Sequence, residues 1–302
     1  MVHGPAKYPP KTCCIYCGNS AVALTDEHVV PYSLGGKHVL QNASCNKCAD
    51  ITKLFEQDVT RDLWGDARAS YGAPTRRKKE RKTRQLLKDP SGMAPDLPIP
   101  MGRYPGVFIF YQMGRAGLLL GQSNAVDSSA AWSLQAVVDD ARLTALHREH
   151  PGRVTAQFRH LPTSFARMLA KIGYCQILTS LDPGDFDALC LPYILGAEKN
   201  LSHIIGARAS IEAPEPGIGY SLRSNLFGDD ELCFVVAEIR LFSAAHTPTY
   251  HVVVGQASGP ANVELVSQKL EVTYRAQLPK PSAFEIPPDE FHWMPASWPI
   301  AG

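Results

Sequence analysis

The sequence predicts an α+β protein in three parts: a small N-terminal metal module over residues 13–70, a basic and proline-rich linker over 71–100, and a larger α+β region over 101–302 with mainly antiparallel strands. Three observations predict it. Five of the eight cysteines fall before residue 50, four of them in two Cys-x-x-Cys pairs. The run "APTRRKKERKTRQLLKDPSGMAPDLPIP" breaks the pattern with charge and then with prolines. Beyond it, strand-like and helix-like segments alternate without an internal repeat.

In the first part, "ALTDEHVV" reads as a strand ended by Pro31, "SLGG" supplies turn chemistry, and "KHVL" reads as a second short strand. From Cys45 the pattern turns helical, with Ile51, Leu54, Phe55 and Val59 at steps of three and four. The expected order is strand, turn, strand, helix. Residues 1–12 hold three prolines and read as a loose tail. In the third part, "GVFIFYQ", "RVTAQF", "CFVVAEIRLF", "TYHVVVG" and "LEVTYRA" are strand-like, rich in β-branched and aromatic residues. "AAWSLQAVVDDARLTALHREH" and "SFARMLAKIGYCQILTS" read as helices, the second with Ser164 as N-cap. Residues 277–300 are proline-rich and are expected to wrap the surface.

The chain has 302 residues, 45% apolar and 20% charged, an ordinary globular composition. Its opening stretch has no apolar h-region, and no run of about 18 apolar residues occurs. A soluble, intracellular, cytoplasmic protein is expected. The net charge of +1 conceals an asymmetry: residues 73–90 carry eight basic and two acidic side chains. A basic segment beside a metal module points to a polyanion partner, with Arg76, Arg77, Lys78 and Lys79 as phosphate contacts. Such contacts give affinity without sequence specificity.

Zinc binds four thiolates tetrahedrally, and each Cys-x-x-Cys places two sulfurs on one side of the ion. Cys14, Cys17, Cys45 and Cys48 supply such a set, with Cys13 as a poorer substitute for Cys14. Redox pairs are the competing reading, but no βαβ pattern surrounds either pair.

Together "CIYCG", "LTDEHVVPYSLGG" and "ASCNKC" resemble the HNH endonuclease family in its four-cysteine, zinc-containing branch, over roughly residues 13–60. The resemblance implies a ββα-metal fold with one catalytic divalent ion, Mg²⁺ or Mn²⁺, beside the structural zinc. It implies His28 as the general base, Glu27 as a metal ligand (with Asp26 as the alternative), and Asn42 as the residue that orients the base. The family's helix ligand follows the fourth cysteine, where this chain has Ala49. Asp50 is the expected substitute, with Asn46 and Glu56 as alternatives. The implied activity is metal-dependent hydrolysis of DNA, double-stranded, with residues 101–302 serving specificity, sensing or homo-oligomer formation. The alternative is a non-catalytic nucleic-acid-binding protein with a degenerate site.

Overall fold

The computed structural model describes residues 6–76, 79, 81–153, 158–215 and 219–272. The fold is mixed α+β. The N-terminal module begins with β1 (Lys7–Tyr8) and β2 (Leu24–His28), then β3 (Val39–Cys45) and helix α1 (Asn46–Gln57). Strand β3 is central in a three-stranded sheet, antiparallel to β2 and parallel to β1. The second strand is therefore longer than "KHVL" suggests: it runs through Ala43 to the third cysteine, because buried Leu40 and Ala43 continue its inner face. Helix α1 buries Phe55, and Val59 is buried in the π-helical turn that follows; Leu54 is 68% exposed, so the apolar seam is narrower than the sequence spacing implied.

A short helix α2 (Gly65–Ser70) follows. The stretch 71–100, read above as a linker, holds a hairpin of β4 (Arg84–Leu87) and β5 (Leu97–Pro100). Its Leu87 and Ile99 join Met101, Tyr104 and Leu146 in a small satellite core.

Next come a second hairpin, β6 (Phe108–Gln112) with β7 (Ser133–Val137), and α3 (Asp140–Glu149). The segment from Ala130 to His150 is thus a strand followed by a helix, not one helix. The alanines carry helix propensity, yet pairing with the buried strand Phe108–Gln112 decides the conformation. Helix α4 (Pro162–Ile177) starts one turn earlier in sequence than expected, with Leu161 at the N-cap and Pro162 fixing the first turn. Ser164 is free of the capping role and donates to Asp58 Oδ2 at 2.6 Å.

After α5 (Leu191–Leu195), strands β8 (Ile205–Ala207), β9 (Tyr220–Gly228), β10 (Leu232–Leu241) and β11 (Tyr250–Ser258) form an antiparallel sheet in the order β8-β11-β10-β9. Helix α6 (Pro260–Leu270) closes the described chain and ends at Glu271 in left-handed conformation, so the start of "LEVTYRA" is helical. Most of "RVTAQF", the rest of "LEVTYRA" and residues 277–300 lie outside the described residues.

Helix α4 organises the molecule. It packs against β10 and β11 on one side and α1 on the other. Its close approach to the sheet uses Gly173, where a Cβ would press on Val252 and Ala237 at 3.1–3.2 Å. Sandwiched in this way, it carries Lys171 into the interior with 0% exposure. Among the described residues, no helix is long and apolar enough to cross a membrane.

Candidate functional site

The four cysteines converge from three local structures. Cys14 and Cys17 sit in the loop before β2, Cys45 ends β3, and Cys48 lies in the first turn of α1. Their sulfurs lie within 4.8 Å of one another, with Cys17 and Cys45 at 3.8 Å. A tetrahedral zinc with Zn–S near 2.3 Å has sulfur–sulfur edges of about 3.8 Å, so the set fits that ion. Burial works against the Cys14 thiolate, but backbone N–H groups, led by that of Cys45 at 3.4 Å, outweigh it and lower the thiol to about 7. Burial and the neighbouring sulfurs push Cys48 up. Four crowded thiols that cannot all ionise alone are the condition a dication relieves. Cys13 stands outside the cluster.

His28 ends β2, where the chain turns toward Val29, Val30 and Pro31. It lines a cleft of about 880 Å³ together with Asp26, Glu27, Tyr32 and the α1 residues Ala49, Thr52, Lys53 and Glu56. Its ring is half-buried, and Nδ1 is buried without a hydrogen-bond partner. Burial lowers its pKa below the ordinary histidine value, and the charges of Lys171 and Arg76 lower it further. Glu56 and a backbone contact from Gly36 work the other way. Gly36 can come this close because it has no side chain: a Cβ there would lie 1.8 Å from the Val30 carbonyl oxygen. The Tyr32 ring stands 5.9 Å from His28, and the Arg76 guanidinium lies 5.4 Å over that tyrosine. The basic segment thus reaches the histidine.

Glu27 is buried and does not face open solvent. Lys171 Nζ lies 2.7 Å from Glu27 Oε1 and 2.9 Å from Glu56 Oε1, and it donates to the His28 carbonyl oxygen. The Glu56 contact is ionic rather than an aligned hydrogen bond. An ammonium has three N–H donors, and three oxygens surround this one. Burial disfavours its charge, but Glu27 and Glu56 outweigh burial and hold its pKa above that of ordinary lysine. Burial pushes the Glu27 carboxyl up, with Lys171 pulling against it.

The other sequence-predicted residues are placed as follows. Asp50 is exposed and does not line the cleft. The reason is helical: Ala49, Thr52, Lys53 and Glu56 share the cleft-facing stripe, and Asp50 is turned about 100° from Ala49. Asn46 is likewise exposed and outside it. Asn42 does not reach the histidine. Strand register pairs His28 with Val39, while a bulge sits between Thr25 and Glu27. The extra residues of that bulge are on β3, where Asn42 takes φ 48° and its N–H donates to Asp26 Oδ1 at 3.1 Å. Arg76 lines the cleft, Lys79 is exposed outside it, and Arg77 and Lys78 lie outside the described residues.

The divalent ion that the sequence pattern implies does not fit this arrangement. Ala49 offers no donor, Asp50 faces elsewhere, and both inward carboxylates hold Lys171. Among the described residues, the four cysteines are the group of three or more donors placed to hold a metal.

Sequence reasoning missed Lys171 and the basic rim of Lys53 and Arg61, and it ranked Glu56 low. A signal for Lys171 existed: it stands in α4 among Met168, Leu169, Ile172 and Cys175, a face too apolar for an unpaired ammonium. Of the other basic lining residues, Arg68 is tied to the Ser33 carbonyl at 2.8 Å, Arg81 to that of Ala73 and Lys82 to Asp66. Lys53, Arg61 and Arg76 are exposed along the cleft.

Compared with known proteins, residues 14–61 match the family model described as HNH endonuclease. No curated protein and no solved structure matches the chain.

Proposed function

With residues 14–61 a module of the HNH endonuclease family, we propose that the chain hydrolyses phosphodiester bonds of DNA in the cleft beside His28. The observation that carries the proposal is one half-buried histidine, with a ring nitrogen left unpartnered, facing a cleft along which Lys53, Arg61 and Arg76 are exposed. Exposed cations hold a nucleic-acid backbone through its phosphates, which accounts for affinity and not for sequence choice. A polar atom buried without a partner is normally satisfied by an ordered water or a ligand. A water held by the His28 ring on its cleft side is the nucleophile. Because burial and nearby cations disfavour the charged ring, His28 is neutral at neutral pH and accepts that water's proton. The water oxygen attacks phosphorus, the bond to the opposite oxygen breaks, the leaving alkoxide takes a proton from solvent, and exposed guanidinium groups offset the developing charge. The sulfur-bound zinc holds the loop before β2 and the start of α1 in register, which positions the histidine. No step passes through a divalent ion in the cleft.

A second reading, a nucleic-acid-binding module without catalysis, is favoured by one observation: Lys171 fills the space between the two carboxylates nearest His28. Incubation of zinc-loaded protein with plasmid and with short duplexes separates the two. Nicking or cutting that His28→Ala abolishes supports hydrolysis; binding without cutting, with or without added Mg²⁺ or Mn²⁺, supports the second reading.

A further inference from the structure

We propose that Lys171, reaching in from α4, is the resident cation of this cleft and occupies the seat that a divalent ion would otherwise take between Glu27 and Glu56. The inference concerns the same cleft as the proposed hydrolysis, but its test reads metal binding and stands apart from cleavage.

The argument begins with burial. A lysine with no exposed surface keeps its charge only where anionic partners surround it. Here the partners are two carboxylates from different elements, one on β2 and one on α1, 29 positions apart in sequence. Neither needs a lysine for its own local structure. Both are turned inward to a single point, and a backbone carbonyl, that of His28, completes the set. Three oxygens within hydrogen-bonding distance of one point are a hard-cation seat with an ammonium in it. Mg²⁺ takes the same donors at about 2.0–2.1 Å, so the two carboxylates, 2.7 and 2.9 Å from the ammonium, would draw in to hold it.

Two carboxylates and one ammonium leave a net charge of −1, and the Arg76 guanidinium lies close enough to act on the neighbouring His28 ring. The helix position that would add a donor for a metal is Ala49, and the nearest acid, Asp50, faces away. The seat is thus built for a cation that brings its own stem. The stem has a structural consequence. An exchangeable ion leaves a module free of its neighbour, whereas a lysine side chain fastens the end of β2 to α4, and through α4 to the sheet of β10 and β11. His28 belongs to that fastening, because its own carbonyl accepts from the ammonium.

The test is Mn²⁺ titration of the zinc-loaded full-length chain, followed by the electron paramagnetic resonance of free Mn²⁺. The wild type is expected to leave added Mn²⁺ free. Lys171→Ser opens the seat and is expected to take up about one ion per chain, with affinity at least roughly tenfold above wild type, and to lose it again in Lys171→Ser/Glu56→Gln. Mn²⁺ uptake by the wild type that disappears in Glu27→Gln overturns the proposal, because the seat would then be open to metal. A folded Lys171→Ser that binds no ion overturns it as well. Should Lys171→Ser fail to fold, the wild type and Glu27→Gln decide alone: no uptake by either supports the resident lysine, and uptake lost in Glu27→Gln rejects it.

Discussion

Replacing Lys171 by methionine keeps the unbranched stem, one atom shorter, and removes the charge, leaving Glu27 and Glu56 facing each other. At 2.7 Å and an effective dielectric constant of about 20, the attraction to Glu27 is about 6 kcal/mol. Bringing the ammonium out of water costs several kcal/mol and offsets much of this, and removal of one member of a buried pair costs about 3–5 kcal/mol in practice. We therefore expect Lys171→Met to lose about 3–5 kcal/mol at neutral pH. The loss carries a pH signature. Without the ammonium, the pull of Lys171 on the Glu27 carboxyl is gone, and burial holds its folded-state pKa further above the unfolded value. Stability from such groups is fully present below the unfolded pKa and declines as pH rises through the folded one. The deficit against wild type is accordingly smaller near pH 5 than near pH 8. Urea denaturation of zinc-saturated protein at both pH values measures it. A loss below about 1 kcal/mol, typical of an exposed ion pair, or a deficit equal at both pH values, would refute the buried triad.

Other outcomes follow from the same geometry. Cys48→Ser is expected to drop zinc content from about one ion per chain and to unfold the N-terminal module, read by metal analysis and circular dichroism; a folded variant that keeps its zinc would remove the four-cysteine site. Arg76→Ala is expected to weaken DNA binding alike for all sequences and to flatten the salt dependence by about 0.9 in log–log slope per lost phosphate contact; an unchanged slope means Arg76 touches no phosphate. Gly36→Ala is expected to cost about 1–3 kcal/mol by overpacking, because its methyl would collide with the Val30 carbonyl, and to reduce cleavage by moving the turn beside His28; a thermal melt and a cleavage rate both at wild-type values would contradict this.

The cysteines were legible in sequence because metal geometry imposes local spacing, and each pair sits within one turn or loop. The placement of His28 at a strand end was legible for a similar reason: Pro31 and the Gly35–Gly36 turn mark where β2 stops. The residues that complete the cleft were not. Lys171 meets Glu27 across 144 positions, and the pattern of α4 shows an apolar helix without saying which neighbour covers which face. Asp50 looked suitable by proximity to Cys48, but helix rotation, set by burying Phe55 and Cys48, presents Ala49 and Glu56 instead. Asn42 looked like a hairpin residue facing the base; instead β3 bulges at Asn42 itself, opposite Asp26, and the register shifts there. Likewise Ser133–Val137 became a strand through pairing with Phe108–Gln112, a contact outside any local window.

The most direct measurement is the cleavage rate of duplex DNA by wild type and His28→Ala, at equal zinc content and with binding measured on the same substrate. The base acts only in the transition state, so the account predicts a loss of about 10²–10⁴-fold in rate with nearly unchanged binding. The wild-type rate should fall as pH drops through a histidine pKa lowered below its usual value of 6.5, and stay level above it, since only the neutral ring accepts a proton. A His28→Ala variant that cuts at the wild-type rate would contradict the account.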